Sequence, residues 1–183
     1  MARWTEFLYD AAEVAAPAVV IIALLFTFAA RVAGVDGESM LPTLEHRQQL
    51  VVTAILPHPE RGDIVILSPA NGYHKPLVKR VIAIAGDEID LVDGRVLVNG
   101  AVIDEPYLAD GTMTYPSSAS VMTYPVRVPA GHVFVMGDNR TGSSDSRYSA
   151  VGFIRVEDIL GKAVFRLKPF FETKPFHFTY KVE

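Results

Sequence analysis

The most apolar stretch of the chain is residues 14–30, which read VAAPAVVIIALLFTFAA and carry no charge. A helix of this length, at about 1.5 Å per residue, nearly crosses a hydrocarbon core of ~30 Å. Residues 32–35 extend the apolar run if Arg31 snorkels to the membrane surface. The pattern therefore predicts a retained transmembrane anchor within an N-terminal segment of residues 1–35. A cleaved signal peptide and a buried core helix are the alternatives, but the preceding residues lack the basic start of a signal peptide.

From residue 36 to residue 183 the pattern changes to short strands separated by turn residues. Segment 88–104, EIDLVDGRVLVNGAVID, alternates apolar and polar residues around Asp93-Gly94 and Asn99-Gly100, and both dipeptides are typical of two-residue hairpins. Further strands are predicted within RGDIVIL (61–67), LVKRVIAIAGD (77–87), GHVFVMGDNR (131–140) and GKAVFRL (161–167), with a short helix over VEDIL (156–160). The chain is thus predicted to be mainly β, with one antiparallel β-sheet domain after an N-terminal transmembrane helix.

Composition and charge exclude several functional classes. The 183 residues carry a net charge of −4, which leaves no basic stripe for a nucleic acid. The absence of cysteine excludes disulfides, a thiol nucleophile and thiolate metal sites. The five histidines are scattered and lack the spacing of metal ligands. We therefore expect no nucleic-acid partner, no metal and no other cofactor.

Three segments carry candidate chemistry: Ser39 in GESMLPTL (37–44), Lys79 in the apolar strand LVKRVIAIAGD, and the polar loop GDNRTGSSDSR (137–147). Each has a plain structural interpretation, namely a turn serine, a lysine that protects an edge strand and a surface loop. Together they fit a nucleophilic serine that a neutral lysine activates. An ordinary lysine with a pKa of ~10.4 is neutral in only about one molecule in 2,500 at pH 7, so burial must lower that pKa.

The chain resembles the bacterial type I signal peptidases in four ordered segments that follow the anchor, GESMLPTL, RGDIVIL, KRVIAIAGD and GDNRTGSSDSR. The resemblance covers nearly the whole chain. It implies a membrane-bound serine endopeptidase that removes signal peptides from preproteins as they emerge from the export machinery. It also implies a single-pass protein of the cytoplasmic membrane. Its antiparallel β catalytic domain, residues 36–183, then rests on lipid at the extracytoplasmic side and needs no cofactor.

The resemblance also assigns roles to individual residues. Ser39 is the nucleophile and its backbone N–H serves the oxyanion hole, Lys79 is the general base, and the Ser143 hydroxyl orients the Lys79 amine. Asp145 and Arg147 form a structural ion pair, and Asp138 is a further structural residue near the site. Small substrate residues at positions −1 and −3 are expected, and the apolar side chains that could line shallow pockets for them are Val35, Met40, Leu77 and Val78.

Two departures from the family pattern and three alternatives remain. Gly37 stands where some relatives carry a serine that helps the oxyanion hole, and residues 84–87 read IAGD instead of LPGD. Lys79 argues against the related peptidase of the endoplasmic reticulum, whose base is histidine. The alternatives are a self-cleaving repressor-type peptidase, a dedicated processing peptidase of a conjugation system, and a non-enzymatic anchored β module. The aromatic tail, residues 169–180, is a candidate for a second contact with the membrane surface.

Overall fold

The structure, a computed structural model, describes residues 13–21, 23, 30–53, 58–119 and 122–167. The strands are β1 (Ala30–Gly34), β2 (Gln49–Thr53), β3 (Ile64–Leu67), β4 (Leu77–Ile84), β5 (Glu88–Val92), β6 (Arg95–Val98), β7 (Ala101–Val102), β8 (Val126–Arg127), β9 (His132–Met136), β10 (Ile154–Arg155) and β11 (Ile159–Leu167). A single turn of 3₁₀ helix spans Val156–Asp158, and residues 13–21 and 23 are helical.

The strands form two antiparallel sheets. The larger sheet has the order β1-β2-β11-β3-β4-β9-β10, and the smaller one has the order β7-β6-β5-β8. Neighbouring strands pair antiparallel throughout both sheets. The prediction of a mainly β, antiparallel domain is therefore confirmed.

Local turn chemistry explains the smaller sheet. Asp93 and Gly94 have φ values of 50° and 75°, and Asn99 and Gly100 have φ values of 53° and 81°. Consecutive positive φ values at the two central residues define the hairpin turn that matches the twist of the flanking strands. Both predicted hairpins are confirmed. The predicted helix over residues 156–160 is confirmed only in part, because Ile159 already belongs to β11.

The core consists of apolar clusters that hold the two sheets together and support the loop before β2. Ile82 and Phe134 of the larger sheet pack with Ile89 and Val98 of the smaller sheet. A second cluster packs Met40 and Leu44 against the buried side chains of β2 and β3. Met40 and Leu44 are 1% and 0% exposed, and burying each side chain contributes ~1.5–3 kcal/mol. The loop that carries Ser39 is thus anchored in the core on its C-terminal side.

The N-terminal prediction needs one correction. Residues 30–34 form the edge strand β1, which pairs with β2 from Ala30↔Thr53 to Gly34↔Gln49. An extension of the apolar helix into residues 32–35 is therefore wrong, because this backbone satisfies its hydrogen bonds in the sheet. Residues 22 and 24–29 of the predicted anchor, and the aromatic tail, lie outside the described residues. In the ranges that are described, no helix combines the length and the apolar character required to cross a membrane.

Candidate active site

Ser39 lies in a tight loop directly after β1. The Val35 N–H donates to the Gln48 carbonyl and the Leu44 N–H donates to the Met40 carbonyl, both at 2.8 Å, so the loop is closed at both ends. Gly37 has a φ of 102°, a conformation that favours glycine. Short connections and two buried apolar anchors therefore fix the position of Ser39, which is itself half-buried.

Lys79 projects from β4 onto this loop. Its Nζ lies 2.7 Å from Ser39 Oγ and donates a second hydrogen bond, of 3.0 Å, to the Val78 carbonyl. The side chain is 2% exposed, and β4 is an interior strand between β3 and β9. Because the amine is buried against Ser39 and does not extend along the strand edge, the interpretation of Lys79 as a lysine that protects an edge strand is wrong. The structure brings the two predicted catalytic side chains into direct contact.

Burial sets the protonation of Lys79. Desolvation lowers its pKa from an ordinary 10.5 to about 8, against the opposing charges of Asp145 and Asp138, while the charges of Lys75 and Arg147 assist the lowering. Within the described part of the chain, no carboxylate lies within 4.0 Å of the Lys79 Nζ. The expectation that no acidic residue contacts this amine holds for these residues. An amine with this pKa is neutral often enough to act as a base near neutral pH.

The loop of residues 137–147 is built on a buried ion pair. Arg147 donates from Nε and Nη2 to the two Asp145 carboxylate oxygens at 2.9 and 2.8 Å, so the two residues predicted to pair lie in direct contact. Asp145 Oδ2 also accepts the Gly137 N–H at 3.0 Å, and Arg147 Nη2 donates to the Arg140 carbonyl at 2.8 Å. These bonds hold the two ends of the loop together beneath the site.

Asp138 has a partner that the sequence analysis did not assign. Arg80, the neighbour of Lys79, donates from Nε and Nη2 to the Asp138 carboxylate at 2.8 and 2.7 Å. Both side chains are fully buried. An arginine in the middle of an apolar interior strand has to be paired, and that rule is the signal that could have identified it. Asp138, predicted as a structural residue near the site, is thus buried and paired with the residue next to Lys79.

Ser143 lies beside the site without the predicted hydrogen bond. Its Oγ is buried and has no hydrogen-bond partner among the described residues, whereas Lys79 Nζ is bonded to Ser39 Oγ and Val78. The hydroxyl packs against Gly137, where an added Cβ would lie 2.2 Å from Ser143 Oγ and 2.4 Å from the Ser39 carbonyl oxygen. Close approach of the two loops therefore requires glycine at position 137.

Backbone groups of Ser39 and Gly37 complete the site. The Ser39 carbonyl accepts the Asn139 N–H at 3.0 Å, and the Glu38 carbonyl accepts from Asn139 Nδ2 at 3.2 Å. The Ser39 N–H itself makes no hydrogen bond to any residue that the structure describes, so it remains available to an oxyanion. The Gly37 N–H donates to His46 Nδ1 at 3.1 Å.

A cleft of about 580 Å³ opens onto Ser39 and Lys79. We call it the upstream cleft; its walls include the four predicted pocket residues, Val35, Met40, Leu77 and Val78. The structure thus places all four of these residues in the same cleft as Ser39 and Lys79. The described ranges contain no group of three or more His, Asp or Glu side chains that could hold a metal ion.

Comparison with known proteins identifies the family of the chain. The family model described as "Signal peptidase, peptidase S26" matches residues 8–168. Signal peptidase I of Bacillus caldolyticus is 38% identical over 178 residues, which cover 92% of this chain and 91% of that protein. Signal peptidase I S of Bacillus subtilis (strain 168) is 38% identical over 169 residues, covering 85% and 86%. A solved signal peptidase I from Enterococcus faecalis V583 is 31% identical with a TM-score of 0.48, covering 60% of this chain and 99% of that one. The family model and the two Bacillus relatives show that the chain belongs to the signal peptidase family S26 and is a serine peptidase of this type.

Proposed function

We propose that this protein is a membrane-bound endopeptidase that removes signal peptides from exported preproteins, with Ser39 as nucleophile and Lys79 as general base. The observation that supports it best is the 2.7 Å distance between Lys79 Nζ and Ser39 Oγ, combined with burial that lowers the pKa of Lys79 to about 8. Membership of a peptidase family makes the non-enzymatic β module wrong. A dedicated processing peptidase with the same pair remains the second candidate.

The proposed chemistry follows from the geometry of this pair. Neutral Lys79 takes the hydroxyl proton as Ser39 Oγ attacks the scissile carbonyl, and the resulting ammonium returns a proton to the leaving amine. The Ser39 N–H, which has no partner within the described residues, donates to the developing oxyanion. Water then hydrolyses the acyl-enzyme with Lys79 again as base. The buried Ser143 hydroxyl, which has no partner in the described structure, is proposed to orient the amine during these steps.

Substrate binding is proposed to occur by addition of a strand. β9 pairs with β4 only from Arg80 onwards, while β3 pairs with β4 from Leu77 to Arg80. Residues 77–79 therefore keep one backbone edge available for an extended peptide. Alternate side chains of such a peptide point to the same face, which fits small residues at −1 and −3 against Val35, Met40, Leu77 and Val78.

Contact with lipid is proposed for the outer face of β1, β2 and β11. Val32, Val51 and Phe165 lie directly opposite one another across these strands, so their side chains share one face. Val32 and Phe165 are 62% and 46% exposed, and apolar exposure of this kind favours a membrane surface. We propose that the part of the N-terminal segment before β1 supplies the anchor and that the catalytic β domain, whose larger sheet includes β1, lies on the extracytoplasmic side. Because β1 pairs with β2, the membrane-crossing part ends before Ala30.

The proposal is tested by incubating the full chain in detergent with a panel of preproteins. The cleavage products are then identified by N-terminal sequencing. We expect cleavage after small residues. Ser39→Ala and Lys79→Ala each reduce cleavage to background with an unchanged circular dichroism spectrum, while the exposed Ser118→Ala is a matched control with full activity. A folded Lys79→Ala variant with near-normal rates would remove Lys79 as the base. Cleavage of a single preprotein from the panel would favour the dedicated processing peptidase.

A further inference from the structure

A second cleft lies on the other side of the Ser39 loop. Residues 37–40, Gly142 and Ser144 line the upstream cleft, whereas Leu41, Pro42 and residues 138–141 line a separate cleft of about 460 Å³. The Ser39 loop and the 137–147 loop are joined by the bonds from Asn139 to Ser39 and Glu38. They form a ridge between the two clefts. We call the second one the downstream cleft.

The far wall of the downstream cleft is a segment without regular structure, the strap (residues 105–115). Arg140, from the 137–147 loop, is paired with Glu105 and donates to Thr114 Oγ1 at 2.6 Å. The Thr114 N–H also donates to the Gly94 carbonyl at 2.8 Å. Both ends of the strap are therefore fastened, and one of the fastening residues belongs to the loop that contacts Ser39.

Two other arginines of the catalytic region hold the same strap. The Arg80 guanidinium lies 3.9 Å from the centre of the Tyr107 ring, a distance typical of a cation–π contact. Arg147 Nη1 donates to the Tyr115 carbonyl at 3.5 Å. The residues that shape the Lys79 environment thus also fix the wall of the downstream cleft, so the cleft keeps a defined position relative to Ser39.

The chemistry of the lining favours uncharged side chains. The charged groups that border it, Asp138 and Arg140, are buried and paired with Arg80 and Glu105. The large exposed side chains that the strap contributes to the lining are Met113 and Tyr115, which are 51% and 60% exposed, whereas the exposed Asp110 of the strap lies outside the lining. A charged ligand group would find no opposite charge there and would lose hydration.

A polypeptide cut at Ser39 has to continue past the scissile carbonyl. If the signal-peptide side occupies the upstream cleft, as the proposed function requires, the mature side leaves across the ridge, with an advance of ~3.3 Å per extended residue. We propose that the downstream cleft binds the first residues after the scissile bond and selects apolar, uncharged side chains among them. The inference rests on the proposed function and assigns specificity to Met113 and Tyr115.

A series of peptides tests this inference. The residues on the signal-peptide side are kept the same, and one position at a time, from +1 to +4, carries either Leu or Asp. We expect the full chain in detergent to show about a tenfold higher kcat/KM for Leu than for Asp at one or two of these positions. In Tyr115→Ser, and independently in Met113→Ser, that ratio falls to within about twofold. Tyr73→Ser is the matched control, because Tyr73 is an exposed tyrosine that lines the upstream cleft; it keeps the Leu/Asp ratio.

Three results separate the possible failures. Equal kcat/KM for Leu and Asp at all of the tested positions would overturn the inference while leaving the proposed function intact. A preference that persists in both folded variants, Tyr115→Ser and Met113→Ser, would also overturn it, because the selection would then arise elsewhere. A folded parent enzyme that cleaves neither these peptides nor a preprotein would overturn the proposed function, and this inference with it.

Discussion

The pH dependence of cleavage tests the role of Lys79, because only the neutral amine can accept the Ser39 proton. Burial lowers the pKa of Lys79 to about 8, so about one tenth of the molecules carry the neutral amine at pH 7 and about nine tenths at pH 9. We expect kcat/KM of the free enzyme to rise about tenfold over this interval. A lysine with an ordinary pKa would give about a hundredfold rise, and a histidine would give less than about twofold.

The rise of kcat/KM with pH forms the acidic limb of the pH–rate profile. A charge change near the site shifts this limb along the pH axis in a defined direction. The exposed Lys75 lowers the pKa of Lys79 through its positive charge, so Lys75→Gln raises that pKa and shifts the limb to higher pH. Salt screens interactions of exposed charges, and the difference between Lys75→Gln and the parent therefore shrinks at high ionic strength. Arg95→Gln is the matched control, because Arg95 is exposed on β6 of the other sheet and its loss leaves the limb in place.

The assay is cleavage of a quenched fluorescent peptide at concentrations below KM from about pH 6 to about pH 10. The same profile is recorded for His58→Ala, His74→Ala and His132→Ala. His46→Ala is interpreted separately because His46 accepts the Gly37 N–H beside the nucleophile. A limb near pH 6 that disappears in one histidine variant would refute the assignment and transfer the base role to that histidine. A hundredfold rise between pH 7 and pH 9 would refute the desolvation of Lys79.

Three further substitutions have expected outcomes. Gly137→Ala places a Cβ 2.4 Å from the Ser39 carbonyl oxygen, so we expect kcat/KM to fall about a hundredfold in a protein that still folds by circular dichroism; normal activity would contradict the close approach. Ser143→Ala loses about 1–3 kcal/mol of transition-state stabilisation without loss of thermal stability, since its hydroxyl has no partner in the described structure; an unchanged kcat/KM would remove its orienting role. Lys79→Met raises the free energy of unfolding by up to about 3 kcal/mol below pH 8, because the folded state disfavours the ammonium. That gain disappears as the pH rises from about 8 towards the ordinary 10.5, and urea titrations at pH 7 and pH 10 with equal gains would contradict it.

Local sequence chemistry predicted the parts of the fold that depend on neighbouring residues. The hairpins at Asp93-Gly94 and Asn99-Gly100 follow from the positive φ that these dipeptides tolerate. The order of the larger sheet could not be predicted, because β11 lies between β2 and β3 although about a hundred residues separate it from either strand. The alternation of apolar and polar residues indicates that a segment is a strand, but it does not indicate which strand it pairs with.

The candidate site also combines features that local sequence predicts with features that depend on residues distant along the chain. Motif chemistry predicted Ser39 and Lys79 as the catalytic pair, but their environment depends on pairs that are distant along the chain. Arg80 and Asp138 are 58 residues apart, and Arg140 and Glu105 are 35 residues apart. With 17 basic and 21 acidic residues in the sequence, no local signal selects these partners. The strap and the downstream cleft follow from these pairs, so they became visible only in the structure.

Lys79 and Arg80 show how adjacent basic residues on one strand acquire different partners and different roles. Successive strand residues point to opposite faces, so one reaches Ser39 and the other reaches Asp138. Arginine cannot lose its proton in a protein, and its burial therefore requires a carboxylate partner. Lysine can lose its proton, and its burial without a carboxylate contact lowers its pKa. Because Arg80 and Arg147 engage the two aspartates that raise the pKa of Lys79, these arginines keep the carboxylates off the Lys79 amine and leave it neutral often enough to accept the Ser39 proton.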